Sequence, residues 1–303
     1  MLYKASAPGS LMLFGEYAVL YHHIALVAAI DKRIFVELIP RQDKKIIIES
    51  TLGIYVTDIA DLHPVPPFTF VLASLKKFQK KLKHGCTLKI SSEFSATQGL
   101  GSSAAVTVAS LTAILAWLGL RYHDLYKIRL ARHIIQSVQG MGSGADAAAS
   151  VLGGVVEYHM QPLRAKRIAD HCPLTVVFSG SKTPTREAVA LVQQHFLPWP
   201  RLFKHLLQNI GLCAKAARDA MLCQDWVSVG RLMNLQQGYM VALGVNTPAL
   251  QDVIEKLYQQ EEILGAKISG SGLGDCAIGL GFAKNLSQLD VAVTPNGSFC
   301  EKN

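Results

Sequence analysis

A short glycine-serine segment, Gly99-Leu100-Gly101-Ser102-Ser103-Ala104-Ala105, is the feature that most limits what this chain can fold into. A strand-like stretch gives way here to a run of small residues with helical character. Glycine lets the backbone adopt positive φ and approach an anion closely, and a helix start supplies unpaired N–H groups and the positive end of its dipole. The segment therefore predicts an anion site that suits a polyphosphate. A glycine turn before a capped helix has the same local pattern.

Two other phosphate-binding patterns are missing from the sequence. G-x-x-x-x-G-K-[ST] occurs nowhere, which excludes the P-loop class, and no G-x-G-x-x-G follows the first strand, which argues against a dinucleotide fold. The two serines at the predicted helix start can cap the helix, bind phosphate oxygens or place a hydroxyl on Mg²⁺.

The order of strand-like and helical patterns predicts an α+β fold. Apolar or alternating stretches predict strands over residues 26–30, 34–38, 45–50, 86–90, 155–158, 174–178, 266–268 and 276–280. Helical spacing predicts helices over residues 68–83, 102–118, 123–138, 146–152, 186–196, 202–222, 226–243 and 248–264. Because strands and helices are interleaved without strict alternation, mixed or antiparallel sheets are favoured over a doubly wound parallel sheet.

The length of the chain is sufficient for two domains. It has 303 residues, half of them apolar and 17% charged, which indicates a compact globular protein. The pattern becomes mainly helical after residues 160–175. We therefore expect an N-terminal domain over residues 1–165 and a C-terminal domain over residues 166–303.

The chain is basic, with a formal charge of +8. This surplus suits anionic metabolites and nucleotides, and nucleic acid is the other obvious partner. The tightest basic cluster, Lys76-Lys77 with Lys80-Lys81 and Lys83, has helical spacing and is typical of a solvated helix face. We therefore expect a small anionic ligand and no nucleic acid.

Cysteine spacing and hydropathy bear on the compartment. The six cysteines include no C-x-x-C pair, which predicts free thiols in a reducing environment. The N-terminal residues show no basic-then-apolar signal region, and no apolar run reaches the roughly 18–20 residues of a membrane span. The expected location is the cytoplasm, with no membrane partner.

Four segments follow one another in an order that is typical of one family. They are APGSLMLFGEYAVL at residues 7–20, TQGLGSSAA at 97–105, SGAD at 143–146 and GAKISGSGLGDC at 265–276. Together they resemble the N-terminal motif, the phosphate-binding motif, the aspartate segment and the C-terminal glycine loop of the GHMP kinases. This family includes galactokinase, homoserine kinase, mevalonate kinase and phosphomevalonate kinase.

The resemblance implies a particular version of the α+β fold. An N-terminal ribosomal-protein-S5-like domain and a C-terminal ferredoxin-like domain would enclose the active site between them. ATP, Mg²⁺ and a small-molecule substrate would bind in that cleft. Because the four segments extend from residue 7 to residue 276, these expectations apply to nearly the whole chain.

The resemblance also implies roles for individual residues. Asp146 would be the catalytic carboxylate, accepting the proton of the substrate hydroxyl or orienting its oxygen in line with the γ-phosphate; its local sequence alone favours a helix N-cap. The ATP phosphates would contact Gly99, Leu100, Gly101, Ser102, Ser103 and Ala104. Within that set we assign Ser103 to Mg²⁺ and Ser102 to a phosphate oxygen.

Four further residues are expected to line the substrate and phosphate ends of the cleft. Glu16 follows a turn glycine in the N-terminal motif, where a helix-start glutamate is the alternative interpretation. Tyr17 stands where mevalonate kinases usually have histidine. Ser271 and Gly272 belong to the last glycine loop, and nearby Lys267 either adds charge there or is a strand-edge lysine.

The sequence departs from the family pattern at two positions. The first motif usually has a lysine after Pro-Gly, and this chain has Ser10. The Mg²⁺-binding glutamate of mevalonate kinases should fall about eleven residues before Asp146, and this chain has Ile135. Lys182 is a candidate for the missing cation. These differences are compatible with weak or altered activity.

The motifs leave two acceptors open, with mevalonate first and phosphomevalonate second. The run from Gly15 to Tyr21 and the pair Thr185-Arg186 favour mevalonate. The glycines around residues 140–144 and the triplet Gly274-Asp275-Cys276 are instead similar to phosphomevalonate kinase. A regulator that binds nucleotide without turnover also stays open, and a homodimer is expected by family analogy alone.

Overall fold

The structure, a computed structural model, describes residues 1–302. Within these residues the strands form an eight-stranded mixed sheet and a three-stranded antiparallel sheet, here called the larger and the smaller sheet. The larger sheet contains β1 (Tyr3–Phe14), β2 (Ile24–Pro40), β3 (Lys45–Ser50), β4 (Gly53–Asp58), β5 (Cys86–Ser92), β6 (Val155–His159), β7 (Arg164–Ala169) and β11 (Phe299–Lys302). The smaller sheet contains β8 (Leu174–Phe178), β9 (Gly265–Ser269) and β10 (Cys276–Leu280).

Helices lie between these strands in both halves of the chain. They are α1 (Thr69–Lys77), α2 (Ser102–Trp117), α3 (Asp124–Gln139), α4 (Ala145–Leu152), α5 (Thr185–Phe196), α6 (Pro200–Leu222), α7 (Trp226–Ala242) and α8 (Pro248–Tyr258). This combination confirms the predicted α+β class. None of the helices within residues 1–302 is both long and apolar enough to cross a lipid bilayer.

The long strand β2 organises the larger sheet. β1 pairs along one edge of it, and its other edge is shared, with β6 on residues 24–28 and β5 on residues 34–40. The path then continues from β5 to β3 and β4, while β11 lies outside β1. β3 runs parallel to β5, which makes the sheet mixed.

Alternation along β1 and β2 supplies two hydrophobic cores. Met12, Val27 and Ala29 face the core beneath α1–α4, whereas Leu11 and Leu26 face the opposite side. Because successive strand residues point to opposite faces, a strand that is apolar throughout must be covered on both faces. The second core contains residues of both sheets and of α6 and α7, so it fixes the sheets to one another.

Small residues let α2 lie close to the larger sheet. Ala104, Ala105, Ala109 and Ala113 are buried, and the helix packs against β1 and β2. Close packing at this point determines where the start of α2, and with it the glycine-serine segment, meets the end of β1.

The smaller sheet has the order β8-β10-β9, which leaves β9 at an edge. Side chains of α7 satisfy that edge: Asn234 accepts from the N–H of Ala266 and Gln237 accepts from the N–H of Ile268, both at 2.9 Å. An uncovered edge strand invites pairing with another chain. The contact with α7 protects this edge and holds the loop that follows β9.

Several elements differ from the sequence-based prediction. β4, β7 and β11 were not expected, because they are short and mostly exposed and therefore lack a clear apolar pattern. α1 and α8 end earlier than predicted, at Lys77 and Tyr258. Since β11 pairs with β1, the end of the chain returns to the larger sheet. The boundary between residues 165 and 166 stays a prediction.

Two glycines of α7 give a matched test of its packing on β9. A Cβ at Gly230 would lie 2.4 Å from the carbonyl oxygen of Leu264, whereas one at Gly238 has nothing within 4 Å. We expect Gly230→Ala to lower the free energy of unfolding by about 1–3 kcal/mol, as overpacking does. We expect Gly238→Ala to raise it by roughly 0.5–1 kcal/mol through helix propensity. Urea unfolding measures both, and equal effects would contradict the close contact.

Candidate active site

A cleft of about 720 Å³ opens where loops from both sheets meet. This volume lies within the roughly 300–1,000 Å³ typical of small-molecule sites. Its walls come from the end of β1 and the turn after it, the starts of α2 and α4, the end of α3, the loop before α5 and the β9–β10 loop. Most of the residues predicted from sequence lie in this one cleft.

The start of α2 forms one end of the cleft. Gly101 precedes the helix in the left-handed conformation, with φ 68°, and Ser102, Ser103 and Ala104 line the cleft from the first turn. A Cβ at Gly101 would lie 2.1 Å from Ser10 Oγ, so only glycine fits here. The unpaired N–H groups of this turn and the absence of an acidic side chain in it suit an anion.

Leu100 has a different position from its neighbours. Its side chain is buried in the second core and does not line the cleft. Its carbonyl oxygen instead accepts a hydrogen bond of 3.0 Å from the N–H of Ser10. Leu100 therefore fixes the glycine-serine loop to β1.

Asp146 lies in the first turn of α4, after Gly144 in the left-handed conformation. Its Oδ1 accepts a hydrogen bond of 2.8 Å from Ser10 Oγ. The carboxylate faces the cleft and is otherwise enclosed by protein; burial raises the pKa of Asp146, while the Ser10 hydrogen bond and the charge of Lys182 oppose that rise. A raised pKa gives the carboxylate greater proton affinity, as a general base requires.

Lys182 is a cation of the cleft lining, in the loop before α5. Its Nζ donates a 2.6 Å hydrogen bond to the carbonyl oxygen of Ala96, and its charge acts on Asp146. Ile135 also lines the cleft and is 8% exposed. Its apolar side chain makes this part of the cleft wall hydrophobic.

Glu16 lies at the floor of the cleft and is 2% exposed. Its carboxylate forms an ion pair with Lys267 and accepts a 3.1 Å hydrogen bond from Gln236 Nε2. Lys267 is fully buried on β9 and does not line the cleft. Because its oxygens are occupied by these partners, Glu16 acts here as a support that ties the β1 turn to β9 and α7.

Tyr17 is hydrogen-bonded to the β9–β10 loop. Its backbone has φ 61°, and its hydroxyl donates a 2.6 Å hydrogen bond to the carbonyl oxygen of Ser271. Ser271 lines the cleft, but Gly272 does not. Gly272 has φ 70° and packs on Val245, so its role is to turn the loop.

Comparison with known proteins identifies the family of the chain. The family models "GHMP kinases N terminal domain" and "GHMP kinases C terminal" match residues 69–154 and 213–293. A mevalonate kinase of Thermococcus sibiricus is 32% identical over 297 residues, covering 91% of this chain and 88% of that one. The chain belongs to the GHMP kinase family. It is accordingly a phosphotransferase that acts on an alcohol.

Solved structures of other GHMP kinases have the same fold. Methanococcus jannaschii mevalonate kinase superposes with a TM-score of 0.77 at 22% identity, covering 93% of this chain and 90% of that one. Streptococcus pneumoniae phosphomevalonate kinase, in complex with phosphomevalonate and AMPPNP, gives 0.78 at 18% identity, covering 93% and 92%. At these identities the likeness establishes the fold alone.

Two charged residues of this GHMP kinase cleft belong to motifs named from the sequence but were not predicted as site residues. Arg186, at the start of α5, lines the cleft. Asp275 lines the cleft beside Gly99 and is 7% exposed, and burial raises its pKa to about 6. The sequence did contain a sign that Asp275 is unusual. An acidic residue in a glycine-rich loop that is expected to contact phosphate has the same charge as that ligand.

Removal of the Ser10 hydroxyl tests its hydrogen bond to Asp146. Because that bond stabilises the charged carboxylate, Ser10→Ala should raise the pKa of Asp146. As the pH falls, the carboxylate of the variant would become protonated sooner, so activity that needs the charged form would begin to fall at a higher pH than in the wild type. We expect the acidic limb of the kcat/KM profile to move up by about one pH unit.

The matched control is Ser150→Ala on α4. Ser150 is equally buried, but its hydroxyl donates to the carbonyl oxygen of Pro8 at 2.8 Å, away from the carboxylate. Its pH profile should keep the wild-type position. An unmoved profile in Ser10→Ala would contradict the role of this hydrogen bond.

Proposed function

We propose that this GHMP kinase transfers the γ-phosphoryl group of ATP to the primary hydroxyl of mevalonate, giving 5-phosphomevalonate. The observation that carries the proposal is the position of Asp146 in one cleft with the start of α2. The first supplies a base for a hydroxyl and the second an anion site for a triphosphate. Mevalonate kinase is also the name of the Thermococcus relative, at 32% identity.

The chemistry requires a proton acceptor and stabilisation of charge. Asp146 takes the proton of the hydroxyl while the substrate oxygen bonds to the γ-phosphorus. The bond from that phosphorus to the oxygen bridging it to the β-phosphate breaks, and ADP leaves. Ser10 holds the carboxylate in place through its 2.8 Å hydrogen bond. Lys182 is our candidate to replace the lysine that the family usually has at the position of Ser10, since its positive charge acts on Asp146.

The donor atoms at the phosphate end are compatible with Mg²⁺. Ser102, Ser103 and Ser271 present hydroxyl oxygens, and the Ser271 hydroxyl is buried without a hydrogen-bond partner among the described residues. Mg²⁺ prefers oxygen ligands and is usually held by few protein groups together with phosphates. We assign Ser103 to it, and when bound the ion would neutralise charge on the phosphate oxygens.

The acid group of the acceptor needs a cation. Arg186 lines the cleft at the start of α5, and a guanidinium binds a carboxylate through two hydrogen bonds. The same group binds a phosphate equally well. Phosphomevalonate is therefore the second candidate, and the Gly-Asp-Cys triplet of the last loop supports it.

We also propose that the enzyme works in the cytoplasm. All six cysteines are free thiols in the structure, which fits a reducing compartment. A homodimer stays an expectation from family analogy.

A coupled ADP-release assay tests the function. ATP and Mg²⁺ are offered with mevalonate, phosphomevalonate, homoserine or galactose. We expect turnover on mevalonate, and Asp146→Asn should lower kcat by about 10²–10⁴-fold because it removes the base. The matched control is Asp124→Asn, since Asp124 also lies in the first turn of its helix but is exposed and away from the cleft.

The outcomes separate the candidates. Turnover on phosphomevalonate alone would replace the first assignment with the second. ATP binding with no turnover on any of the four acceptors would contradict both and favour a regulator. Full activity of Asp146→Asn would contradict the assigned base.

A further inference from the structure

Two buried oxygens in the β9–β10 loop have no hydrogen-bond partner among the described residues. They are Ser271 Oγ and Asp275 Oδ1, and both residues line the cleft at its phosphate end. Asp275 is 7% exposed. A buried polar atom without a partner is costly, so its retention in a ligand cleft points to a group that binds there.

The backbone holds Asp275 firmly. Its N–H donates to the carbonyl oxygen of Ser181 at 2.7 Å, and its own carbonyl oxygen accepts from the N–H of Ser179 at 2.9 Å. Its φ of 64° lies in the left-handed region. The main chain of Asp275 is therefore fixed on both sides to the loop before α5, which sets the position of its side chain in the cleft wall.

The carboxylate lies directly against the glycine-serine loop. A Cβ at Gly99 would be 2.9 Å from Asp275 Oδ1, so the loop approaches this closely only because residue 99 is glycine. The proposed triphosphate site and the Asp275 carboxylate are thus neighbours. Two anions in such proximity repel each other unless a cation lies between them.

The protein's own cation at this end has other partners. Lys182 donates to the carbonyl oxygen of Ala96 and divides its charge between Asp146 and Asp275. At the position of the family glutamate, Ile135 offers no ligand. No set of three or more potential ligands from His, Cys, Asp and Glu occurs within residues 1–302, so a cation here would depend on nucleotide oxygens as well.

We propose that Asp275 is a ligand of the Mg²⁺ that accompanies ATP, and that it takes the place of the glutamate missing at Ile135. The inference rests on the proposed nucleotide site and is independent of the acceptor. Mg²⁺ is commonly held by one or two carboxylates together with substrate phosphates. Asp275, Ser103 and the phosphates form such a set.

The test is the dependence of nucleotide affinity on Mg²⁺. Calorimetry measures binding of AMPPNP in EDTA and in saturating Mg²⁺, for the wild type and for Asp275→Asn. Asparagine has the same shape and tolerates the left-handed backbone. In EDTA the variant should bind at least as tightly as the wild type, because a repelling charge is gone. The gain in affinity on adding Mg²⁺ should fall at least tenfold.

Two further variants serve as a second test and as a control. Asp275→Gly removes the carboxylate with a residue that favours positive φ, so it serves if asparagine impairs folding. Asp124→Asn is the control for loss of one negative charge and should keep the full Mg²⁺ effect. In a second readout Mn²⁺ replaces Mg²⁺. It is titrated with the complex of protein and AMPPNP while the EPR signal of free Mn²⁺ is recorded, and Asp275→Asn should weaken Mn²⁺ binding at least tenfold.

Each outcome decides the proposal. An unchanged Mg²⁺ effect in Asp275→Asn and Asp275→Gly would overturn it. So would an equal loss of affinity with and without Mg²⁺, which would instead assign Asp275 to holding Lys182 or the loop. A wild type that binds AMPPNP with Mg²⁺ but does not phosphorylate mevalonate would refute the proposed substrate alone. A wild type that does not bind nucleotide would overturn both proposals.

Discussion

Ser10 lies at the point where three parts of the active site meet. Its N–H bonds the carbonyl oxygen of Leu100, its hydroxyl bonds Asp146, and its Oγ occupies the space that a side chain at residue 101 would need. One small residue of β1 thereby fixes the glycine-serine loop and the start of α4 relative to each other. A lysine at this position would bring a charge to Asp146, whereas serine offers a neutral donor that only partly opposes the rise of the Asp146 pKa caused by burial.

The turn that follows β1 fixes the other half of the cleft. Glu16 reaches Lys267 on β9 and Gln236 on α7, and Tyr17 reaches the carbonyl oxygen of Ser271. Removing one partner of a buried ion pair typically costs about 3–5 kcal/mol, although the intact pair contributes little net stability. We therefore interpret this pair as a device for position. The segment from Ser10 to Tyr17 aligns the groups from the larger sheet with those from the smaller one.

The sequence was most informative where a motif and a local physical rule agreed. Glycines at 99 and 101 followed by serines predicted a helix start with an anion site, and both glycines have positive φ in the structure. Pairing over long distances was not accessible in this way: β11 joins β1 from the other end of the chain. Glu16 illustrates the same limit, because its partner Lys267 lies 251 residues away. The sequence shows that residue 275 is an aspartate. Its burial and the lack of a hydrogen-bond partner for its Oδ1 depend on how three loops fold together.

The most direct test of Asp146 as the base is a crystal structure of the chain with mevalonate and AMPPNP. Asp146 Oδ1 or Oδ2 should lie within about 3.2 Å of the acceptor hydroxyl, as general-base geometry requires. The triphosphate should lie along residues 99–104, with the γ-phosphorus in line with that hydroxyl. An acceptor hydroxyl directed away from Asp146, with the triphosphate still on this loop, would contradict the assignment.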